Sequence, residues 1–202
     1  MARASSTCAS TNSYAALCTA ATAAGLACRG GFHPRADDGV PPLPDGSLPG
    51  TLVLLGFTGG MQWLAFEASP ERTDGQPHPL DRWSRRLIDA LAAETGAQAY
   101  YPSPGPPWLP FQRWARRAEA LHASPLGILL HREYGPWHAY RGALALPVQL
   151  DVPAPVAWPQ PCEACAEKPC LNTCPVGAVR PGGFDAIACA THAAAPAGTA
   201  CR

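Results

Sequence analysis

Four cysteines near the carboxyl end constrain this chain more than any other feature of its sequence. They are Cys162, Cys165, Cys170 and Cys174, spaced C-x2-C-x4-C-x3-C within thirteen residues and followed at once by Pro175. A two-residue gap lets two sulfurs converge from one turn. The three-residue gap predicts that Cys170 and Cys174 lie one helical turn apart, on one face. The pattern therefore predicts a site at which four thiolates hold a metal.

The identity of the metal follows from the gaps between the cysteines. A tight run closed by Cys-Pro is typical of the cysteines that hold iron-sulfur clusters in bacterial ferredoxins, although the usual second gap there is two residues. We therefore expect a 4Fe-4S cluster. Zinc is the alternative, but structural zinc sites usually pair two short C-x2-4-C units across a longer spacer. Disulfides are less favoured still, because they need an oxidising compartment and the chain has nine cysteines, an odd number.

Composition limits the remaining function classes. A chain of 202 residues is long enough to build a core without a metal or disulfide, so we expect the cluster to be functional rather than structural. The net charge is zero and 15% of residues are charged, which gives no broad field for nucleic acid or an anionic membrane. The 24 prolines and 19 glycines, with 47% apolar residues, indicate a loop-rich globular protein. Lys168, the only lysine, lies in the middle gap, where its charge would offset that of a thiolate-ligated cluster.

The amino-terminal part gives an expectation about the compartment. No apolar run reaches the length of a membrane span, and the Ala/Ser/Thr-rich start is only a weak match to a targeting peptide. We expect a cytoplasmic protein with reduced thiols. The ten-residue spacing of Cys8, Cys18 and Cys28 matches no metal pattern, so these are interpreted as buried, unpaired cysteines.

Apolar periodicity predicts the secondary structure of the first 150 residues. Helices are expected at residues 13–26, 79–95 and 110–121, with Gly96 ending the second one. A strand buried on both faces is expected at 51–56 and further strands at 97–101, 126–131 and 143–146, the last two as a hairpin-like pair. Residues 29–50 are predicted to be an extended loop, and residues 57–60 a tight glycine turn, with an anion-binding loop as the alternative.

Two features of the sequence bear on domain organisation and docking. Four prolines in residues 152–161 predict a stiff linker, so we place the boundary near Leu150, between a domain at 1–150 and a cluster module at 151–202. Two of the predicted helices carry arginines opposite their apolar faces. We interpret these as solvent-facing, with a docking or phosphate-binding face as the alternative: Arg82, Arg85, Arg86, Arg113, Arg116 and Arg117.

The order of motifs after residue 125 resembles a known family. The motifs lie at residues 126–131, 133–137, 141–144, 150–153 and 162–178. Together they look like the junction region of epoxyqueuosine reductases and their 4Fe-4S ferredoxin-like relatives. The resemblance covers residues 126–189 and implies an α+β fold, with a nitroreductase-like α/β core on a mixed sheet followed by a ferredoxin-like module.

The same resemblance implies a second cluster. By analogy with the family, Cys189 would be a ligand of the second cluster. Cys174 would also bind the second cluster, while Cys162, Cys165 and Cys170 bind the first. Two clusters need eight thiolates, whereas this region has six, counting Cys201. Either one cluster is bound, or further ligands lie beyond Arg202, or a partner supplies them. We favour the second reading, in which the chain is truncated.

Three functions are then open. The first is an electron-transfer protein that exchanges single electrons with a redox protein partner. The second is a reductase, an oxidoreductase whose core binds a corrinoid (cobalamin) or a flavin and receives electrons from the cluster. The third is a zinc-binding interaction module with no redox role. The sequence favours the first.

Overall fold

Helices and strands alternate irregularly along the computed structural model, in which residues 13–102, 105–181 and 183–201 are described. The helices are α1 (Tyr14–Ala23), α2 (Trp63–Glu67), α3 (Pro70–Thr73), α4 (Pro79–Thr95), α5 (Phe111–Ala118), α6 (Pro161–Ala164), α7 (Pro169–Asn172) and α8 (Ala186–Ala194). The strands are β1 (Ala27–Phe32), β2 (Thr51–Thr58), β3 (Gln98–Tyr100), β4 (His122–Ala123), β5 (Leu129–Leu130), β6 (His138–Leu146), β7 (Val179–Arg180) and β8 (Gly183–Phe184). The predicted α+β class is confirmed.

Contacts divide the chain into two compact units. The first runs to Ala120 and resumes at Trp137–Val156, and it holds a four-stranded sheet with α1 to α5. The second consists of Leu121–Pro136 and Ala157–Arg202, and it holds the β4-β5 and β7-β8 pairs with α6 to α8. The boundary near Leu150 concerns functional domains and stays a prediction.

The four-stranded sheet has the order β1-β2-β6-β3, and each of its pairings is antiparallel. The expected mixed sheet is therefore wrong. β2 lies in the interior of the sheet, and its residues from Thr51 to Gly56 are buried, as their continuous apolar run predicts. The β2-β6 register shifts between Leu55 and Gly56, which marks a β-bulge.

β6 corrects a second expectation. The predicted strand at residues 143–146 begins earlier, at His138, and pairs with β2 and β3 rather than with the preceding segment. The predicted strand at 126–131 shrinks to β5, which pairs with β4. The reason is that β6 is buried from Gly142 onward between two long-range partners, whereas the hairpin expectation used only local sequence.

β1 is not predicted from the sequence, and most of it lies in residues 29–50, where an extended loop is expected. Its sequence, ACRGGF, lacks the apolar alternation of a strand, and its register with β2 shifts between Cys28 and Gly31. Gly30 has φ +70, and a Cβ atom there would lie 2.3 Å from the Ala118 carbonyl oxygen. Glycine is therefore required at this irregular position, and its presence concealed the strand.

Helices cover both faces of the sheet. Residues of α1 and α4, including Leu17, Ile88 and Leu91, form one core cluster with Val53 and Leu55 of β2. Side chains alternate along a strand, so Leu52 and Leu54 point to the opposite face, as expected for the side nearer α5. α4 has the predicted bounds, and Gly96 ends it in a left-handed conformation. Within the described residues, no helix has the length and apolar character needed to cross a membrane.

Most of the helix-face arginines bond within the protein. Arg82 pairs with Asp74, Arg86 with Glu71, and Arg117 with Asp38, while Arg113 donates to the Asp37 carbonyl oxygen. The guanidinium of Arg85 stacks on the Tyr101 ring. Five of the six thus contact other parts of the protein, whereas the exposed Arg116 has no such contact among the residues that the structure describes. These contacts weaken the alternative of a docking or phosphate-binding face.

A buried arginine links four elements of the first unit. Arg29 is 1% exposed and donates from Nε and Nη2 to the carboxylate of Glu119, which follows α5, at 2.9 and 2.7 Å. Its Nη1 donates to the Phe57 carbonyl oxygen at 2.7 Å, and Nη2 lies 3.1 Å from His138 Nδ1. Tyr140 donates its hydroxyl to Glu119 at 2.5 Å, and burial together with the charge of Glu119 raises the pKa of that hydroxyl. Arg29, Glu119, His138 and Tyr140 form what we call the Arg29 cluster.

Removing the cation of the Arg29 cluster is expected to destabilise the fold strongly. In Arg29→Met the Glu119 carboxylate, whose side chain is 16% exposed, keeps its charge without its partner. We expect a loss of about 3–5 kcal/mol in the free energy of unfolding, measured by urea denaturation. Arg116→Met, at an exposed position, is the matched control and is expected to change stability by less than about 0.5 kcal/mol. The double variant Arg29→Met/Glu119→Leu recovers part of the loss, and equal stability of Arg29→Met and the control would contradict this account.

The Glu71–Arg86 pair predicts how stability changes in acid. The hydrogen bond from Arg86 Nε, at 2.5 Å, lowers the pKa of the Glu71 carboxyl from 4.5 to about 2. Because the folded pKa is depressed, this contribution is complete above pH 4.5 and is lost as the pH falls from 4.5 toward 2. Glu71→Gln should therefore lose less stability than the wild type across that window in urea titrations. Glu67→Gln, at an exposed position, should follow the wild-type curve.

Candidate metal centre

The first two cysteines of the motif lie at the ends of a single helical turn. Pro161 occupies the first position of α6, where its missing N–H costs nothing. The Gln160 side chain accepts the backbone N–H of Cys162 at 3.4 Å, and Cys165 follows the last residue of the turn. Both sulfur-bearing side chains are half-buried and free of disulfides. The arrangement agrees with two thiols presented from one turn.

Lys168 reverses the chain between the two halves of the motif. It has φ 41, a left-handed conformation that is unusual for a residue with a side chain, and Pro169 begins α7 directly after it. Its ammonium group lies 3.5 Å from the Cys162 carbonyl oxygen. The only lysine of the chain therefore places its charge within the cysteine loop.

Cys170 and Cys174 do not share a helix, contrary to the prediction. Cys170 lies on α7, but α7 ends at Asn172, before Cys174. The reason is Pro175, because a residue that precedes proline is disfavoured in the helical conformation. The proline that we used to identify the motif also ends the helix that we expected inside it.

Backbone amides surround the sulfur of Cys174. The Ala178 N–H donates to Sγ at 3.2 Å. Hydrogen bonds from backbone amides, that of Val176 foremost and then that of Ala178, lower the pKa of the Cys174 thiol. Gly177, with φ +60, turns the chain between these two residues. The local backbone thus favours a thiolate at this position.

These amide donors were not predicted from the sequence, where the expected roles belong to the cysteine side chains and to the charge of Lys168. A signal was present, because a glycine three residues after Cys174 is the residue that a left-handed turn requires. Ala178 and Val179 are buried, which anchors the end of this turn at the start of β7.

The two remaining predicted ligands lie further along the second unit. Cys189 is half-buried on α8, which begins at the Asp185 side-chain cap, where Oδ1 accepts the Ala188 N–H at 2.9 Å. Cys201 is exposed, at the end of a 3-10 segment, Pro196–Cys201. Their assignment to a second cluster stays a prediction.

The four thiols of the motif are free of disulfides, but they are not positioned around a common metal site. In the part of the chain that the structure describes, no three side chains of His, Cys, Asp or Glu are arranged to hold a metal ion. The donor set itself fits an iron-sulfur cluster or zinc: four thiols in a short segment, none in a disulfide, and one with a lowered pKa. Metal binding and local folding are coupled in thiolate sites, so ligation would bring the sulfurs together.

Two of the other cysteines overturn an expectation. Cys18 of α1 and Cys28 of β1 form a disulfide, with Cα atoms 5.1 Å apart, instead of being unpaired. The cause is tertiary, since α1 folds back onto the edge strand β1 and brings the two side chains together. Cys8 lies outside the described residues.

Comparison with known proteins adds no assignment. No family model matches the chain, and no curated protein is significantly similar to it. The resemblance to epoxyqueuosine reductases therefore stays a prediction from the motifs themselves.

The amides around Cys174 predict a distinct reactivity for the metal-free protein. Because the pKa of this thiol is lowered, its alkylation by iodoacetamide should reach half-maximal rate at a lower pH than an ordinary thiol. The comparison uses two variants that keep the Cys18–Cys28 disulfide, one with Cys174 as the only thiol of the second unit and one with the exposed Cys201 instead. Coincident pH profiles would show that the amides do not stabilise the thiolate.

Proposed function

We propose that the chain binds a 4Fe-4S cluster through Cys162, Cys165, Cys170 and Cys174 and acts as an electron-transfer protein of ferredoxin type. The observation that carries the proposal is a set of four free thiols within thirteen residues, one of which has its sulfur held by backbone amides. A bound cluster of this kind exchanges single electrons with a redox protein partner.

The residues around the motif have definable roles in this proposal. Amide donors to a cysteine sulfur, such as the Ala178 N–H at Cys174, reduce the charge on that sulfur and are one of the factors that set a cluster's potential. Lys168 adds a positive charge within the loop. Both effects favour a more negatively charged, reduced state.

The number of thiolates does not distinguish iron from zinc, because four thiolates suit either metal. The spacing favours iron, since all four cysteines lie in one compact run that ends in Cys-Pro. Cys189 and Cys201 are the further ligands of a second cluster in the extended form of the proposal.

Anaerobic reconstitution of the chain with iron and sulfide tests the assignment. We expect about four iron and four sulfide per chain for one cluster, and more where Cys189 and Cys201 contribute to a second. Cys170→Ser should lose most of the bound iron. The matched control Cys18→Ser/Cys28→Ser removes two cysteines that are not ligands and should keep the wild-type iron content.

The competing outcomes are separated by the same measurement. Zinc binding with no iron or sulfide would replace the electron-transfer proposal by a zinc module. Equal iron in Cys170→Ser and in the control would refute the ligand set. Iron content unchanged in Cys189→Ser/Cys201→Ser would restrict the proposal to one cluster.

A further inference from the structure

An aromatic pocket lies in the first unit, away from the cysteine motif in sequence. Four rings line it, those of Phe57, Trp63, Phe66 and Trp83. They form a connected set: the ring centroids are 5.7 Å apart for Phe57 and Trp83, 5.6 Å for Phe66 and Trp83, and 5.4 Å for Trp63 and Phe66. Leu80 and Gln62 also line the pocket.

The volume of the aromatic pocket limits the size of its ligand. The free space is about 160 Å³. An apolar cavity of roughly 150 Å³ accommodates benzene, so this pocket has room for one ring, and for a second where the mouth is open. Trp63 is 51% exposed, which places the mouth at the solvent. A small flat molecule could therefore enter without unfolding of the protein.

One polar side chain among the lining residues, Gln62, determines which polar group a ligand should carry. The Gln62 Oε1 atom accepts the Thr58 N–H at 3.0 Å, which fixes the side chain at the end of β2. In the described part of the chain no acceptor is bonded to the Gln62 amide nitrogen. This nitrogen is a donor, so it selects a ligand with a hydrogen-bond acceptor.

The charge around the pocket decides between a neutral and a cationic ligand. Aromatic rings often bind cations through their faces. Here the guanidinium of Arg141, which pairs with Asp81, already lies over the Phe57 ring at 5.6 Å from its centroid. A second cation would have to compete with Arg141 for the Phe57 ring, and none of the residues that line the pocket carries a carboxylate that could attract it.

We propose that the aromatic pocket binds an uncharged aromatic group of one or two fused rings that carries a hydrogen-bond acceptor for Gln62. The rings of Phe57, Phe66 and Trp83 contact the flat ligand, and Gln62 sets its orientation. This binding site is independent of the proposed cluster.

Quinoline is a suitable probe, because it has two fused rings, a ring-nitrogen acceptor and no charge at neutral pH. Calorimetric titration of the full chain is expected to give a dissociation constant below about 1 mM. The N-methylquinolinium ion has nearly the same shape with a positive charge and no acceptor, and it should bind at least about tenfold more weakly. No quinoline binding, or tighter binding of the cation, would overturn the proposal.

Two variants locate the binding. Leu80→Trp fills the pocket and should weaken quinoline binding at least about tenfold, whereas Leu48→Trp adds the same side chain at a half-exposed position outside the pocket and should have no effect.

Gln62→Glu keeps an acceptor for the Thr58 N–H but replaces the amide donor with a carboxylate. It should weaken quinoline binding and strengthen that of N-methylquinolinium. Equal quinoline affinity in Gln62→Glu and the wild type would refute the role of Gln62, even if Leu80→Trp failed to fold.

Discussion

The buried guanidinium of Arg29 is the interaction on which the first unit depends. A charge taken out of water costs several kcal/mol unless it is paired and its remaining donors are satisfied. Arg29 has four partners from three places in the chain: Glu119 after α5, the Phe57 carbonyl oxygen on β2, and His138 and Tyr140 on β6. Through these contacts one side chain ties β1, β2, β6 and the end of α5 into one cooperative arrangement.

The sequence predicted those elements whose pattern is set by their own residues. α4 alternates apolar and charged faces over seventeen residues, and β2 is a continuous apolar run, so both were identified. β1 and the first half of β6 could not be, because their strand character comes from distant partners. Gly30 and Arg29 are poor strand residues in isolation, and they are favoured here by the close approach of Ala118 and by the carboxylate of Glu119.

At the candidate metal centre, too, the local sequence predicted some features and not those that depend on the folded backbone. Spacing predicted which cysteines would be ligands, because ligand geometry limits how far apart in sequence neighbouring ligands can lie. Spacing did not give the end of α7 before Cys174 or the amides directed at its sulfur, which depend on backbone torsions at Pro175 and Gly177. It also could not reveal the Cys18–Cys28 disulfide, since that pairing requires α1 to fold back on β1.

The two units differ in how they obtain their order, and this bears on the proposed cluster. The first unit has an extensive apolar core that includes Leu17, Val53 and Ile88. By contrast, α6 and α7 are single turns of four residues that bury none of their side chains. Helices this short are unstable in water without a tertiary partner. Ligation of Cys162, Cys165, Cys170 and Cys174 would supply that missing free energy, so loading of the proposed cluster and ordering of the segment that holds it form one coupled equilibrium.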